Sequence, residues 1–220
     1  GGSFKHLHKL IVMSATYQQS SAPSPQASAA SLRVDMDNHL LWRMNSRRLD
    51  AESIRDAILI INGKLAGVMY GPSVKQFIQT PGIHVTPNVD YAHFAADDPA
   101  NYRRCIYRFI FRTLPDPFLE AMDCPDGSQQ TPVRSSSVTA LQALSLLNNP
   151  FLVRQYEHLA ARLEKEEPRR EGQIRLLCRS ALGREAREEE VTALVQHAER
   201  FGLASACRVV LNSNEFLFVP

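Results

Sequence analysis

The sequence predicts a mainly α fold with a small antiparallel β element in the middle of the chain. Three observations carry this expectation. Apolar residues recur at helical spacing near both ends of the chain. Helix-starting and helix-stopping residues bracket those runs. Between them, residues 63–134 are broken by Gly67, Gly71-Pro72, Pro81-Gly82, Pro87-Asn88 and Asp98-Pro99, which leaves room only for an irregular region with short strands.

The first helix is expected over residues 4–17, where Phe4, Leu7, Leu10 and Ile11 fall near one face and Ser3 can cap the first turn. His6 and His8 stand about 200° apart on a helix and so cannot close on one ion. Residues 18–31 are small, polar and Pro-containing, and read as a flexible loop. Trp42, Met44 and Leu49 suggest a short helix over 38–45. The clearest helix is 49–62: Asp50 is a good N-cap, and Ile54, Ala57, Ile58 and Ile61 form its inward face. Gly63 ends it with a left-handed cap, and Arg55 is placed to pair with Glu52 one turn away. Residues 104–112 read as a strand, with Cys105, Tyr107, Phe109 and Phe111 on one side and Ile106, Arg108, Ile110 and Arg112 on the other. This strand is expected to pair with pieces of 66–86.

Residues 137–215 read as a helical bundle. Val138, Leu141, Leu144 and Leu147 have helical spacing, and Asn149-Pro150 suits the cap and first position of the next helix. Leu152, Tyr156, Leu159 and Leu163 form that helix's core stripe. Further helices are expected over 172–182, ended by Gly183, then over 187–201 and 203–213, with the apolar tail Phe216–Val219 docked. The whole of 1–220 is treated as one domain. It begins Gly-Gly-Ser and enters a helix almost at once, which reads as a C-terminal fragment of a larger domain.

Composition narrows the function classes. With 220 residues the chain can bury a core without disulfides, and its four cysteines, Cys105, Cys124, Cys178 and Cys207, form no Cys-x-x-Cys or haem-attachment spacing. A net charge of +2 lacks the basic excess of a nucleic-acid binder. No apolar run is long enough to cross a bilayer, so the chain is not expected to be transmembrane. Nucleophile-elbow, zinc-protease, phosphate-loop and dinucleotide motifs are absent from the sequence.

Three polar clusters remain. Asp116, Glu120, Asp123 and Asp126, beside Gly127, could hold a hard cation, although turn formation explains them equally well. Arg103, Arg104, Arg108, Arg112 and Arg134 could recognise carboxylate, sulfate or phosphate; the more economical reading pairs them with the nearby acids. Gln142, Asn148, Asn149, Asn212 and Asn214 could read sugar hydroxyls, or could cap helices. The candidate ligand residues are therefore Arg103, Arg104, Tyr107, Arg134, Gln142 and Asn148, with Asp123 and Asp126 as the candidate catalytic acids and no metal ligand assigned. His84 and His93 lie in the irregular region that could line a site.

Several segments carry a family resemblance. Leu7-His8-Lys9-Leu10-Ile11-Val12 followed by Ser14-Ala15-Thr16-Tyr17-Gln18-Gln19-Ser20 resembles the LHRLIVxSATYRQSS signature of a planctomycete-type domain of unknown function. Arg47-Arg48-Leu49-Asp50-Ala51-Glu52, Leu141-Gln142-Ala143-Leu144, Leu147-Asn148-Asn149-Pro150-Phe151 and Leu211-Asn212-Ser213-Asn214-Glu215-Phe216 extend the likeness over nearly the whole chain. It departs at Lys9, where Arg is usual, at Ala186, where Pro is usual, and at Cys124, where a small residue is common. The resemblance implies a domain that closes large exported proteins, many with a c-type cytochrome module upstream. It implies a periplasmic, cell-envelope or extracellular setting, in bacteria that degrade polysaccharides. Haem c would belong to that other module, with no cofactor in this one. The expected function is a non-catalytic interaction or scaffold module that packs on other domains of its parent and contacts carbohydrate. The alternative is an enzyme acting on polysaccharide or oxidised sugar through Arg104, Asp123, Asp126 and Arg134.

Overall fold

The computed structural model describes residues 2–22, 24–84, 86–111, 113–127 and 129–219, with the side chains of residues 25 and 27 left aside. In chain order its elements begin with α1 (Phe4–Val12), α2 (Pro25–Val34), β1 (Arg47–Arg48), α3 (Ala51–Ile61), β2 (Ile78–Thr80) and β3 (Asn88–Asp90). Two 3-10 turns follow, Pro99–Tyr102 and Cys105–Tyr107, and then α4 (Pro117–Ala121), α5 (Ala140–Asn148) and α6 (Pro150–Glu166). The chain ends with α7 (Arg170–Leu182), α8 (Glu188–Phe201), α9 (Leu203–Leu211), α10 (Asn214–Leu217) and β4 (Phe218–Val219). The fold is mainly α, with two antiparallel two-stranded sheets, β1-β4 and β2-β3. Contacts divide it into two compact units, Gly1–Arg48 with Phe218–Pro220, and Leu49–Leu217.

In the first unit, Ser3 caps α1 by accepting from the His6 amide. The helix stops at Val12, short of the expected residue 17, because the Ser14 hydroxyl turns back to the Ile11 carbonyl at 2.7 Å and competes for the backbone. Residues 25–34 are helical where a flexible loop was expected. Pro25 needs no amide partner in a first turn, and the alanine-rich segment behind it has high intrinsic helix propensity. The expected helix over 38–45 is instead a hydrogen-bonded turn. Asp35 accepts from the His39 and Leu40 amides at 2.9 and 2.7 Å. Asn38, at φ 59°, bonds the Arg43 carbonyl and the Asn45 side chain. These side-chain bonds and a left-handed residue take the place of a helical ladder. The unit closes where Arg47 and Arg48 pair with Val219 and Phe218.

The second unit is built around α6. Leu152, Tyr156, Leu159 and Leu163 lie along its buried face, as their spacing predicts. Asn149 caps it by accepting from the Leu152 amide at 3.1 Å, and Pro150 occupies the first turn. The helix packs on α3, α5, α7 and α9, and α8 packs on α7 and α9. Ile174, Leu177, Cys178, Val191, Ala198, Cys207 and Val210 complete the interior. A buried amide pair, Asn62 to Gln155 at 2.8 Å, fixes α3 against α6. Gly183, at φ 68°, supplies the left-handed end of α7. The tail docks, as one helical turn with Phe216 and Leu217 buried and then the two-residue β4, rather than fully extended.

Two expectations in this unit are corrected. The expected strand 104–112 is not formed over its described residues, 104–111: Cys105–Tyr107 is a 3-10 turn, flanked among the described residues by the single parallel bridges Ala66 to Arg103 and Val74 to Arg108. Its partner segment is interrupted by Gly71-Pro72, which cannot sustain a ladder. The aromatic side of the expected alternation survives, with Phe109 and Phe111 5.8 and 5.2 Å from the Phe77 ring. The antiparallel pair lies elsewhere, with Ile78 opposite Asp90 and Thr80 opposite Asn88. The second correction concerns α5. Its buried residues are Gln142 and Leu146, whereas Leu141 and Leu144 are 62 and 55 % exposed. The helix starts one turn later than the apolar pattern suggests, because Thr139 and Gln142 cap it reciprocally and draw the Gln142 side to the interior.

This assignment of faces is testable by urea denaturation. Leu159→Ala is expected to cost about 2–5 kcal/mol, the range for emptying a fully buried leucine site. Leu141→Ala is expected to change stability by less than about 0.5 kcal/mol.

Candidate functional site

The charged residues of 103–134 are organised by a residue that lies outside that segment. Arg55 is on α3 among Ile54, Ile58 and Leu59, and is only 2 % exposed. It pairs with Asp56 at 3.1 Å and donates to the carbonyls of Arg103, at 3.0 Å, and Asn101. Asp56 in turn accepts the Cys105 amide at 2.8 and 3.1 Å. Gln76, also buried, donates to the same Asn101 carbonyl at 3.0 Å. Arg55 and Asp56 thus hold residues 101–105 in an irregular path that no sheet supports. The expected Glu52–Arg55 pair is not made, because Arg55 points into the interior and Glu52 turns to Arg134. Burial lowers the Arg55 pKa to about 10, so the guanidinium remains charged at neutral pH.

The predicted site residues are mostly engaged in local structure. Arg103 lies over the Tyr107 ring, 3.9 Å from its centre, and donates to the carbonyls of Pro72, at 2.8 Å, and Tyr70. The Tyr107 hydroxyl accepts the Tyr70 amide at 2.9 Å. Arg108 is paired with Asp116, which also caps α4 through the Phe118 and Leu119 amides at 2.9 and 3.0 Å. This pairing between the basic and acidic clusters follows the sequence expectation. Arg134 instead reaches across to α3, with two bonds of 2.8 and 2.7 Å to Glu52 and Asp50 3.8 Å away. Arg112 lies outside the described residues.

Asp123 is held in a turn at φ 60°, where it accepts from the Ser137 amide at 2.7 Å, the Ser137 hydroxyl and the Gln142 side chain at 3.0 Å. Asn148 accepts from Arg208 at 3.1 Å. His93 contacts Asp90 at 2.8 Å. His84 lines a shallow hollow with Lys75 and Gln79. Among the described residues no three His, Cys, Asp or Glu side chains gather as a metal-ligand set.

The four residues of the enzymatic reading do not meet in one hollow. Arg104 and Arg134 line a depression beside α3 with Glu52, Asp56, Ile60 and Ile106. Asp126 lines a different one, with Tyr91, Phe109, Phe111 and Glu120. Asp123 belongs to the turn that seats α5. The Arg134 bonds hold the Glu52 carboxyl below the usual glutamate range. Burial, with Glu52 adding to it, pushes the neighbouring Cys124 thiol up to about 12, so it stays protonated.

Sequence reading missed Arg55, Gln76 and Asn101, the buried polar residues that shape this region. One signal was available: an arginine flanked by Ile54, Ala57, Ile58 and Leu59 on a strongly apolar helix, with few solvent-facing positions to occupy.

The family profile of PSD1, described as a protein of unknown function (DUF1553), matches residues 1–198. The chain belongs to the PSD1 (DUF1553) family. The match spans most of the described fold, so the Arg55–Asp56 platform and the α6 core are parts of a PSD1 domain. No curated protein and no solved structure matches this PSD1 chain.

The two arginines on α3's surroundings are expected to separate in a denaturation experiment. Arg55→Leu, which strands Asp56 and two carbonyls in the interior, is expected to cost about 3–5 kcal/mol. Arg134→Ala, at a pair of which Arg134 is 44 % exposed, is expected to cost about 0–1 kcal/mol at pH 7. Because Glu52 has its pKa lowered by Arg134, that contribution is present above its ordinary value of 4.5 and lost as the pH falls below it. The difference between Arg134→Ala and the native protein should therefore vanish in acid.

Proposed function

We propose that this PSD1 domain is a non-catalytic interaction module that packs on other domains of a longer exported protein. The observation that carries this reading is the apolar side left open on α5: Leu141 and Leu144, one turn apart, are 62 and 55 % exposed, and Val138, just before the Thr139 cap, is 77 % exposed. Isolated exposed leucines are ordinary, but two on one helix face beside an exposed valine have the form that a docking surface takes. A second feature has the same character. No residue of α1 is buried, though Phe4, Leu7, Leu10 and Ile11 share a side of it. The engagement of Asp123 and Arg103 with backbone, and of Arg108 and Arg134 with carboxylates, supports the same reading, since groups committed to structural bonds are poorly placed to turn over a substrate.

The parent is proposed to be an envelope or extracellular protein acting among polysaccharides. The c-type cytochrome module belongs to that parent, and carbohydrate is a secondary contact of this domain. Among the described residues no helix is long and apolar enough to cross a membrane.

The test is association of the chain with the remainder of a longer parent, followed by sedimentation or co-purification. The double variant Leu141→Asp, Leu144→Asp is expected to weaken association at least about tenfold while leaving the thermal midpoint of the separate chain unchanged. Unchanged association in that variant, or turnover of oligosaccharides by the chain alone, would reject the proposal.

A further inference from the structure

Beside the Arg55 platform lies a cavity of about 180 Å³ to which neither the packing nor the interaction surface gives a purpose. Arg55 and Arg108 both line it, together with Tyr91, Phe94, Phe118 and Phe151. Both guanidinium groups are withdrawn from solvent: Arg55 is 2 % exposed and the Arg108 side chain 8 %. Each keeps an unused donor at Nε. The Nε atoms of Arg55 and Arg108 are buried and have no hydrogen-bond partner. The remaining charge is already committed. Asp56 is taken by Arg55 and the Cys105 amide, and Asp116 by Arg108 and two amides of α4. The two arginines are also close enough to repel one another.

A buried unpaired N–H is costly, and two on charged groups beside one cavity are more so. A third contribution has the same sign. The cavity wall includes Asn149, Pro150 and Phe151, the start of the 17-residue α6, whose dipole favours negative charge there. The rest of the wall sets the rings of Tyr91, Phe94 and Phe118 beside Gln76, Leu152 and Asp116, whose carboxylate is the one paired with Arg108, and the Arg55 guanidinium lies 5.0 Å from the centre of the Phe151 ring.

We infer that this cavity is a binding site for a small organic acid, whose oxyanion group accepts from Arg55 and Arg108 and whose apolar body lies between the aromatic rings. This goes beyond the docking role and does not depend on it, since α5's open face and this cavity use different residues. Ala92, Pro117 and Pro150, which line the cavity, are exposed, so it meets solvent on their side.

The experiment is titration of the 220-residue chain with sodium benzoate, acetate, sulfate and phosphate at millimolar concentrations and constant ionic strength, read by calorimetry at 25 °C and by thermal midpoint. Salts such as sulfate raise the midpoint of any protein gradually, so the criterion is saturation. Benzoate is expected to saturate, and to do so at a concentration about tenfold lower than acetate. Two variants locate the site. Ala92→Trp sets a bulky ring in the cavity wall and keeps both arginines, and should abolish the saturable response. Arg108→Lys keeps a positive charge but loses the Nε donor, and should weaken benzoate about tenfold. Saturation confined to inorganic sulfate or phosphate would overturn the inference. So would no saturable response in the native chain, which would leave the cavity to ordered water, or an equal benzoate response in the Ala92→Trp variant. The native calorimetric titration decides the matter even if a variant fails to fold.

Discussion

A single guanidinium, that of Arg55, carries the irregular half of the main unit. It sits on α3 where helical geometry would ordinarily place an aliphatic side chain, and it donates to the carbonyls of Asn101 and Arg103. Asp56, next in sequence, accepts the amide of Cys105. Residues 101–105 therefore gain from one helix backbone partners that a sheet would have supplied. This constraint matters because the segment makes only isolated bridges with its neighbours, and buried backbone groups must be satisfied somewhere. The cost is the desolvation of a charge, which lowers the pKa of Arg55 and is offset only because Asp56 and the carbonyls converge on it.

The acidic and basic clusters take their roles from that platform. Once 101–105 is fixed, Arg103 is turned toward the 70–72 loop and stacks on Tyr107, while Arg108 is brought over the start of α4 to meet Asp116. Arg134 is free to reach the Glu52 end of α3. Asp123 anchors the entry to α5 through Ser137 and Gln142. Opposite charges do cancel: Arg108 meets Asp116, eight residues along the chain, while Arg134 takes a partner outside the acidic cluster. The Arg134–Glu52 pair is separated by 82 residues, a distance over which sequence proximity has no bearing.

A comparable electrostatic arrangement closes the helical part. Arg184, beyond the end of α7, joins Glu190 at the start of α8 to Glu215 in the α10 turn. Its bonds, with that of the Arg187 amide, depress the Glu190 pKa to about 2. The pair is partly exposed, so its value to stability is modest, on the order of 1 kcal/mol. Its larger effect is geometric: it fixes the tail, so that Phe216 and Leu217 are held in the core.

What the sequence determined by itself was local. Leu152, Tyr156, Leu159 and Leu163 define α6, Asn149-Pro150 defines its start, and Gly63 and Gly183 end their helices, because periodicity, capping and left-handed backbone are properties of neighbouring residues. The mainly α class was legible for the same reason, and the family through the motifs that resemble it. Only the tertiary structure decided the rest. The face of α5 that is buried depends on a bond from Gln142 to Asp123, 19 residues away. The described residues 104–111 are no strand because their partner is broken at Gly71-Pro72, and support for the start of the segment comes from Arg55, 48 residues away from Arg103. The idle Nε donors of Arg55 and Arg108 beside one cavity are visible only when both partners of every bond are known. Charge and amide groups choose partners by distance in space, and no local pattern encodes that distance.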